Sequence, residues 1–101
     1  MEHELTRNAS YVLARHLKLY HERIHSGMDE EPARFFAAGK TTYPDLREAN
    51  VSPAKRELCD CGIIKMDILG NITLTDTAVS IHENFFKHSL EKIAAFLAQF
   101  I

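Results

Sequence analysis

Two cysteines in 101 residues are too few for a disulfide framework, and a cytoplasmic location is expected. Only four glycines and three prolines stand beside 46% hydrophobic and 26% charged residues, which excludes collagen-like repeats and intrinsic disorder. No apolar run approaches the roughly 18 residues of a membrane span, so no membrane partner is expected. The opening Met1-Glu2-His3-Glu4-Leu5 is polar and acidic, unlike a secretory signal. There is no glycine-rich phosphate loop, no Gly-x-Ser-x-Gly elbow and no recognisable Ser/His/Asp set, so neither an enzyme nor a cofactor is expected. Excess positive charge is missing too. Twelve Lys+Arg against 14 Asp+Glu give a net charge of -2, which excludes a generally basic, sequence-blind nucleic-acid binder. Any DNA site must be a local patch.

What is present fits one compact domain. Leu5, Ala9, Val12, Leu13, His16, Leu17, Tyr20 and Ile24 form one helical stripe, predicting a helix over 4–25 that Ser26-Gly27 ends. A second helix is predicted over 29–39, with Asp29 as cap, Pro32 in the first turn and Phe35 and Phe36 facing inward. Thr42 opens a short helix over 44–49. Ser52 and Pro53 open another over 53–61, stopped by Gly62. The link Asn50-Val51-Ser52 is so short that these two helices must cross steeply, as in a helix-turn-helix.

After Gly62 the apolar period changes from 3.6 to 2. Ile64, Met66 and Ile68 alternate with Lys65 and Asp67; Ile72 and Leu74 alternate with Thr73 and Thr75. With the turn Leu69-Gly70-Asn71 between them, 63–75 reads as a β-hairpin. From a cap at Thr75 or Asp76, a helix is predicted over 76–101. Val79, His82, Phe86, Leu90, Ile93, Leu97 and Phe100 form its apolar stripe. Some 25 residues at 1.5 Å each span about 38 Å, while a domain of this size is about 26 Å across. The last 26 residues also hold four of the six phenylalanines, with no evident layer to cover them. A second copy is the simplest cover, with Phe86, Leu90, Ile93, Leu97 and Phe100 as the dimer interface.

The expected fold is therefore mainly α with a small β-hairpin, in three stretches: 1–39, 40–75 and 76–101. The order helix, tight turn, helix, hairpin, long helix resembles a winged helix-turn-helix domain. The resemblance spans about 40–85 and is carried by Leu46, by Ser52-Pro53-Ala54-Lys55-Arg56-Glu57-Leu58, by Gly62-Ile63-Ile64 and by Ile72-Thr73-Leu74-Thr75. It implies a bacterial or archaeal transcription regulator. Its second helix would enter the DNA major groove, and its wing would lie on the flanking backbone. Arg47, Lys55, Arg56 and Lys65 would contact phosphates or bases, and Ser52 would meet a phosphate at a helix N-terminus. The sequence departs from that picture: many relatives have glycine where Ala78 stands, the wing is short with Lys65 as its only cation, and the five cations of 40–75 are matched by five anions. Fold alone does not decide function. The alternative reading is an adaptor that binds another protein through the C-terminal helix without touching DNA.

Two smaller patterns carry other chemistry. His21-Glu22-Arg23-Ile24-His25 matches the His-Glu-x-x-His pattern, in which two histidines one turn apart bind zinc and the glutamate activates water, so a small zinc hydrolase is a third reading. Cys59-Asp60-Cys61 is half of a metal site that His82 or His88 would have to complete. Read otherwise, one cysteine is a buried small hydrophobe and the other partly exposed, His88 is a surface residue, and His82 a hydrogen-bonded core or interface histidine.

Overall fold

The computed structural model describes residues 5–88, and side chains as far as Asn84. The helix α1 runs Arg7–His25. Thr6 caps it, its hydroxyl accepting from the Ala9 amide. Ala9, Val12, Leu13, His16, Leu17 and Tyr20 form its buried stripe, as the periodicity predicts.

The predicted second helix is much shorter. Helix α2 covers only Glu30–Ala33, and the chain then extends as β1, Phe35–Phe36. An extended pair points successive side chains to opposite faces. Phe36 thereby enters the core at 2% exposure while Phe35 stays 45% exposed. Arg23 of α1 fastens this strand: its guanidinium donates to the carbonyls of Ala33 and Phe35 and lies 4.2 Å above the centre of the Phe36 ring.

Residues 37–47 are turns and irregular chain, without the predicted helix over 44–49. One helix, α3, runs Glu48–Asp60 where a short helix, a tight turn and a second helix were expected. Pro53 lies inside it. Proline lacks an amide hydrogen, so the Ala49 carbonyl loses its usual donor four residues on. The pair Ser52-Pro53 looks like a helix start but sits in the second turn. The chain before α3 is committed elsewhere. Arg15 Nε donates to the Thr42 carbonyl, Tyr43 Oη meets His16, and the Asp45 amide donates to Tyr11 Oη. These three side chains of α1 hold residues 42–45 as a bracketed loop.

Helix α3 ends where Gly62 was expected to stop it. The Ile63 amide reaches back to the Leu58 carbonyl and the Gly62 amide to Cys59, the paired bonds of a glycine-terminated helix. Gly62 has φ +72, and a Cβ there would meet nothing within 4 Å, so only the backbone conformation demands glycine. Replacing it with alanine should cost about 1–2 kcal/mol in urea unfolding. Full stability in Gly62→Ala would contradict this helix end.

Strands β2 (Ile64–Met66) and β3 (Ile72–Leu74) form the expected hairpin. Ile64 pairs with Leu74 and Met66 with Ile72, and β1 joins the other side of β3. The result is a three-stranded antiparallel sheet of order β1-β3-β2. Asp67 builds the hairpin tip. Its Oδ1 accepts from the Leu69 and Asn71 amides, and its Oδ2 from the Asn71 side chain. Thr75 links the hairpin exit to the end of α3: its hydroxyl lies 2.6 Å from the Gly62 carbonyl and 2.8 Å from that of Ile63. It also accepts from the Ala78 amide at the start of α4, Asp76–His88.

The architecture is mainly helical with a small three-stranded antiparallel sheet, compatible with a winged-helix-like layout. Val12, Phe36, Leu58, Ile64, Ile72 and Leu74 form the middle of the core, between α1, α3 and the sheet. No helix among the described residues is long and apolar enough to cross a membrane. The predicted interface residues Leu90, Ile93, Leu97 and Phe100 lie outside the described residues, as does the side chain of Phe86.

Candidate nucleic-acid interface

Ala54 and Leu58, one turn apart on α3, are buried, which leaves the opposite face of the helix to solvent. Ser52 and Arg56 are exposed and likewise one turn apart. They line one shallow groove with Pro53, Glu57, Asp60 and Cys61. Because α3 begins at Glu48, Ser52 lies in the second turn, not at the N-terminus where a phosphate-binding amide would be. Lys55 and Arg56 correspondingly sit deeper in the helix than expected. The helix does start beside a cation, since Arg47 occupies its cap position, without a side-chain capping bond.

The five predicted contact residues do not form one patch. Lys55 is half-buried, with its ammonium 5.5 Å from the centre of the Tyr43 ring. Lys65 lies across from Thr73 on the outer face of the sheet. There it lines a second depression with Glu30, Glu31, Arg34 and Asp76. Arg34 is already engaged by carboxylates, at 2.6 Å from Glu30 and 2.8 Å from Asp76. Glu57, an anion in the Arg56 groove, is held through both oxygens by the Thr6 hydroxyl and amide.

The cysteines are close in sequence and half-buried, and their thiols are free. Burial pushes the Cys59 thiol up, with Asp60 adding to it. Desolvation raises the Cys61 thiol as well, reinforced by Glu57 and Asp60. A raised thiol pKa leaves little thiolate at neutral pH, which argues against a reactive redox pair.

The histidines make contacts between elements that the sequence pattern did not reveal. His16 is fully buried, 2.5 Å from Tyr43 Oη through Nε2 and edge-on to Phe36 at 4.4 Å between ring centroids. Its Nδ1 has no hydrogen-bond partner among the described residues. Burial, assisted by Lys55, Arg23 and Arg15, lowers its pKa to about 3. Burial also raises that of Tyr43 to about 12. Farther along α1, the His21 and His25 rings pack at a tilt with centroids 4.1 Å apart, and His21 Nδ1 shares a 3.1 Å hydrogen bond with Nε2 of His82 on α4. Burial first, then His21 and His25, lower the pKa of His82 to about 4. Burial and His25 lower that of His21. Spacing alone placed His21 and His25 on one face. It carried no sign that His82 would join them, because that contact needs the packing of α4 on α1. Among the described residues no three His, Cys, Asp or Glu side chains are arranged to hold a metal as they stand.

The chain matches no family model, no curated protein and no solved structure.

Proposed function

We propose that this protein is a sequence-specific transcription regulator that binds double-stranded DNA as a homodimer, with α3 as the reading helix and the β2–β3 hairpin as the wing. The observation that supports the reading is an exposed α3 face carrying Ser52 and Arg56, followed directly in the chain by the β2–β3 hairpin, whose first strand packs on α3. Arg56 is the residue with the most to contribute, because a guanidinium contacts both base edges and phosphates. Lys55 contributes less, since its ammonium is drawn toward Tyr43. In a duplex-binding titration over a range of salt concentrations, Arg56→Ala should weaken binding by about tenfold and reduce the salt slope by about one. Lys55→Ala should have the smaller effect. Parent-like binding by Arg56→Ala at every salt concentration would remove α3 as the reading helix. In a two-fold dimer the reading helices would sit about 34 Å apart. Sedimentation of the parent as a monomer, or of Leu97→Asp as the same dimer as the parent, would remove the homodimer.

A second reading has its own support. The hairpin tip presents Ile68 fully exposed and Leu69 74% exposed. Two aliphatic side chains on a turn held by Asp67 suit a pocket on another protein better than a phosphate backbone. An adaptor of this kind would show no duplex binding at low salt, and Ile68→Ser would release its protein partner.

A further inference from the structure

We propose that His21, His25 and His82 form a seat for a borderline divalent cation such as Zn²⁺, one that joins α1 to α4. The proposal is independent of the duplex-binding reading. His21 Nδ1 and His82 Nε2 are 3.1 Å apart. Two nitrogen ligands at 2.0–2.1 Å on a tetrahedral zinc lie about 3.3 Å from each other, so the pair already stands near ligand separation; the cation would replace the hydrogen bond between them, the donor ring moving its proton to its other nitrogen. His25 is one helical turn beyond His21, with their ring centroids 4.1 Å apart. An i, i+4 histidine pair is the helical arrangement that zinc sites use. His25 is exposed, so its ring can turn toward the other two without disturbing the core. That rotation is required, because the three imidazoles do not yet surround one point.

The surroundings favour this ion class. Tyr20 stands edge-on to His82 at 5.0 Å between ring centroids and shields one side of the cluster. Three imidazoles select zinc, nickel or copper over magnesium or calcium, which prefer oxygen ligands. A solvent molecule would take the fourth position on the exposed side of His25. Two ligands come from α1 and one from α4, so a bound cation would fasten the two helices where they already touch.

The test is a calorimetric titration of chelator-stripped protein with Zn²⁺ at pH 7.5, accompanied by thermal melts. About one equivalent should bind per chain. His25→Ala and His82→Ala should each weaken binding by about tenfold or more. Zn²⁺ should raise the Tm of the parent and leave that of His82→Ala unmoved. His25 is exposed, so its variant keeps the fold and the test remains decisive even if His82→Ala is unstable. Replacing both Cys59 and Cys61 with serine should change nothing. The proposal is overturned if no saturable binding occurs, if binding disappears with the thiols, or if His82→Ala binds as tightly as the parent.

Discussion

Phe36→Ala should cost the folded state about 3–5 kcal/mol, while Phe35→Ala one residue earlier should cost less than about 1 kcal/mol. The two side chains belong to one two-residue strand and differ in the face they occupy. Phe36 is 2% exposed and stands where three elements meet. His16 of α1 packs against its ring edge-on, the Arg23 guanidinium lies over it, and its backbone is paired with Ile72 of β3. Alanine would leave a cavity lined by groups from separate elements, which cannot all collapse inward. It would also expose His16 and remove the ring beneath a cation. Phe35 faces outward across from Thr73 and leaves no cavity. Urea unfolding with the slope held constant measures both changes. A cost below about 1.5 kcal/mol for Phe36→Ala, or equal costs at the two positions, would mean that the register of β1 is wrong. Domains of this size are typically stable by about 5–15 kcal/mol, so the variant is expected to lose a large fraction of its stability.

That strand is also where the sequence was hardest to read. A helix like α1 declares itself through a stripe repeated over 19 residues. The β2–β3 hairpin declares itself through alternation on both sides of a turn. The stop after α3 is marked by one glycine. Each of these signals is local. Two adjacent phenylalanines show neither period, and what makes them a strand is β3, nearly 40 residues later. The start of α3 failed for another reason. Ser52-Pro53 satisfies the local preference for a cap followed by proline, yet the helix begins at Glu48 with no side-chain capping bond at Arg47. The deciding contacts lie upstream, where Tyr11, Arg15 and His16 of α1 bind residues 42–45. At the candidate interface, Ser52 and Arg56 were legible as neighbours because both lie on one helix. The placement of Lys55 on Tyr43 and of Lys65 beside three carboxylates depends on packing between elements, which no spacing in the chain reveals. The histidine cluster combines both cases, with the pair on α1 visible in the motif and its partner on α4 visible only in the fold.

Acid should weaken the fold by about 2 kcal/mol between pH 7 and pH 5, and by about 3 kcal/mol by pH 4, through His16 alone. The direction follows from where the proton binds first. Unfolded, His16 titrates at the ordinary value of 6.5; folded, its pKa is about 3. The unfolded chain therefore takes up a proton that the folded protein refuses. The stabilisation is complete above the unfolded pKa, falls by about 1.4 kcal/mol per pH unit below it, and levels off only near pH 3, where the folded protein also binds the proton. The structural cause is plain. The neutral ring has one nitrogen on Tyr43 and the other buried without a partner among the described residues. A proton on that second nitrogen would place a charge and an unsatisfied donor in the core, with Lys55, Arg23 and Arg15 close enough to oppose it. His16→Leu keeps a buried side chain of comparable size, and the Tyr43 hydroxyl, being only half-buried, can turn to water. Every other histidine is common to both proteins, so its contribution cancels in the comparison. Urea unfolding at half-unit intervals from pH 7.5 to 4.5 should give a parent curve that steepens below pH 6.5 and a variant curve that is flatter by about 1.4 kcal/mol per pH unit. Parallel curves would show that His16 takes its proton as readily in the folded protein as in the unfolded chain, and the buried His16–Tyr43 contact would then be wrong.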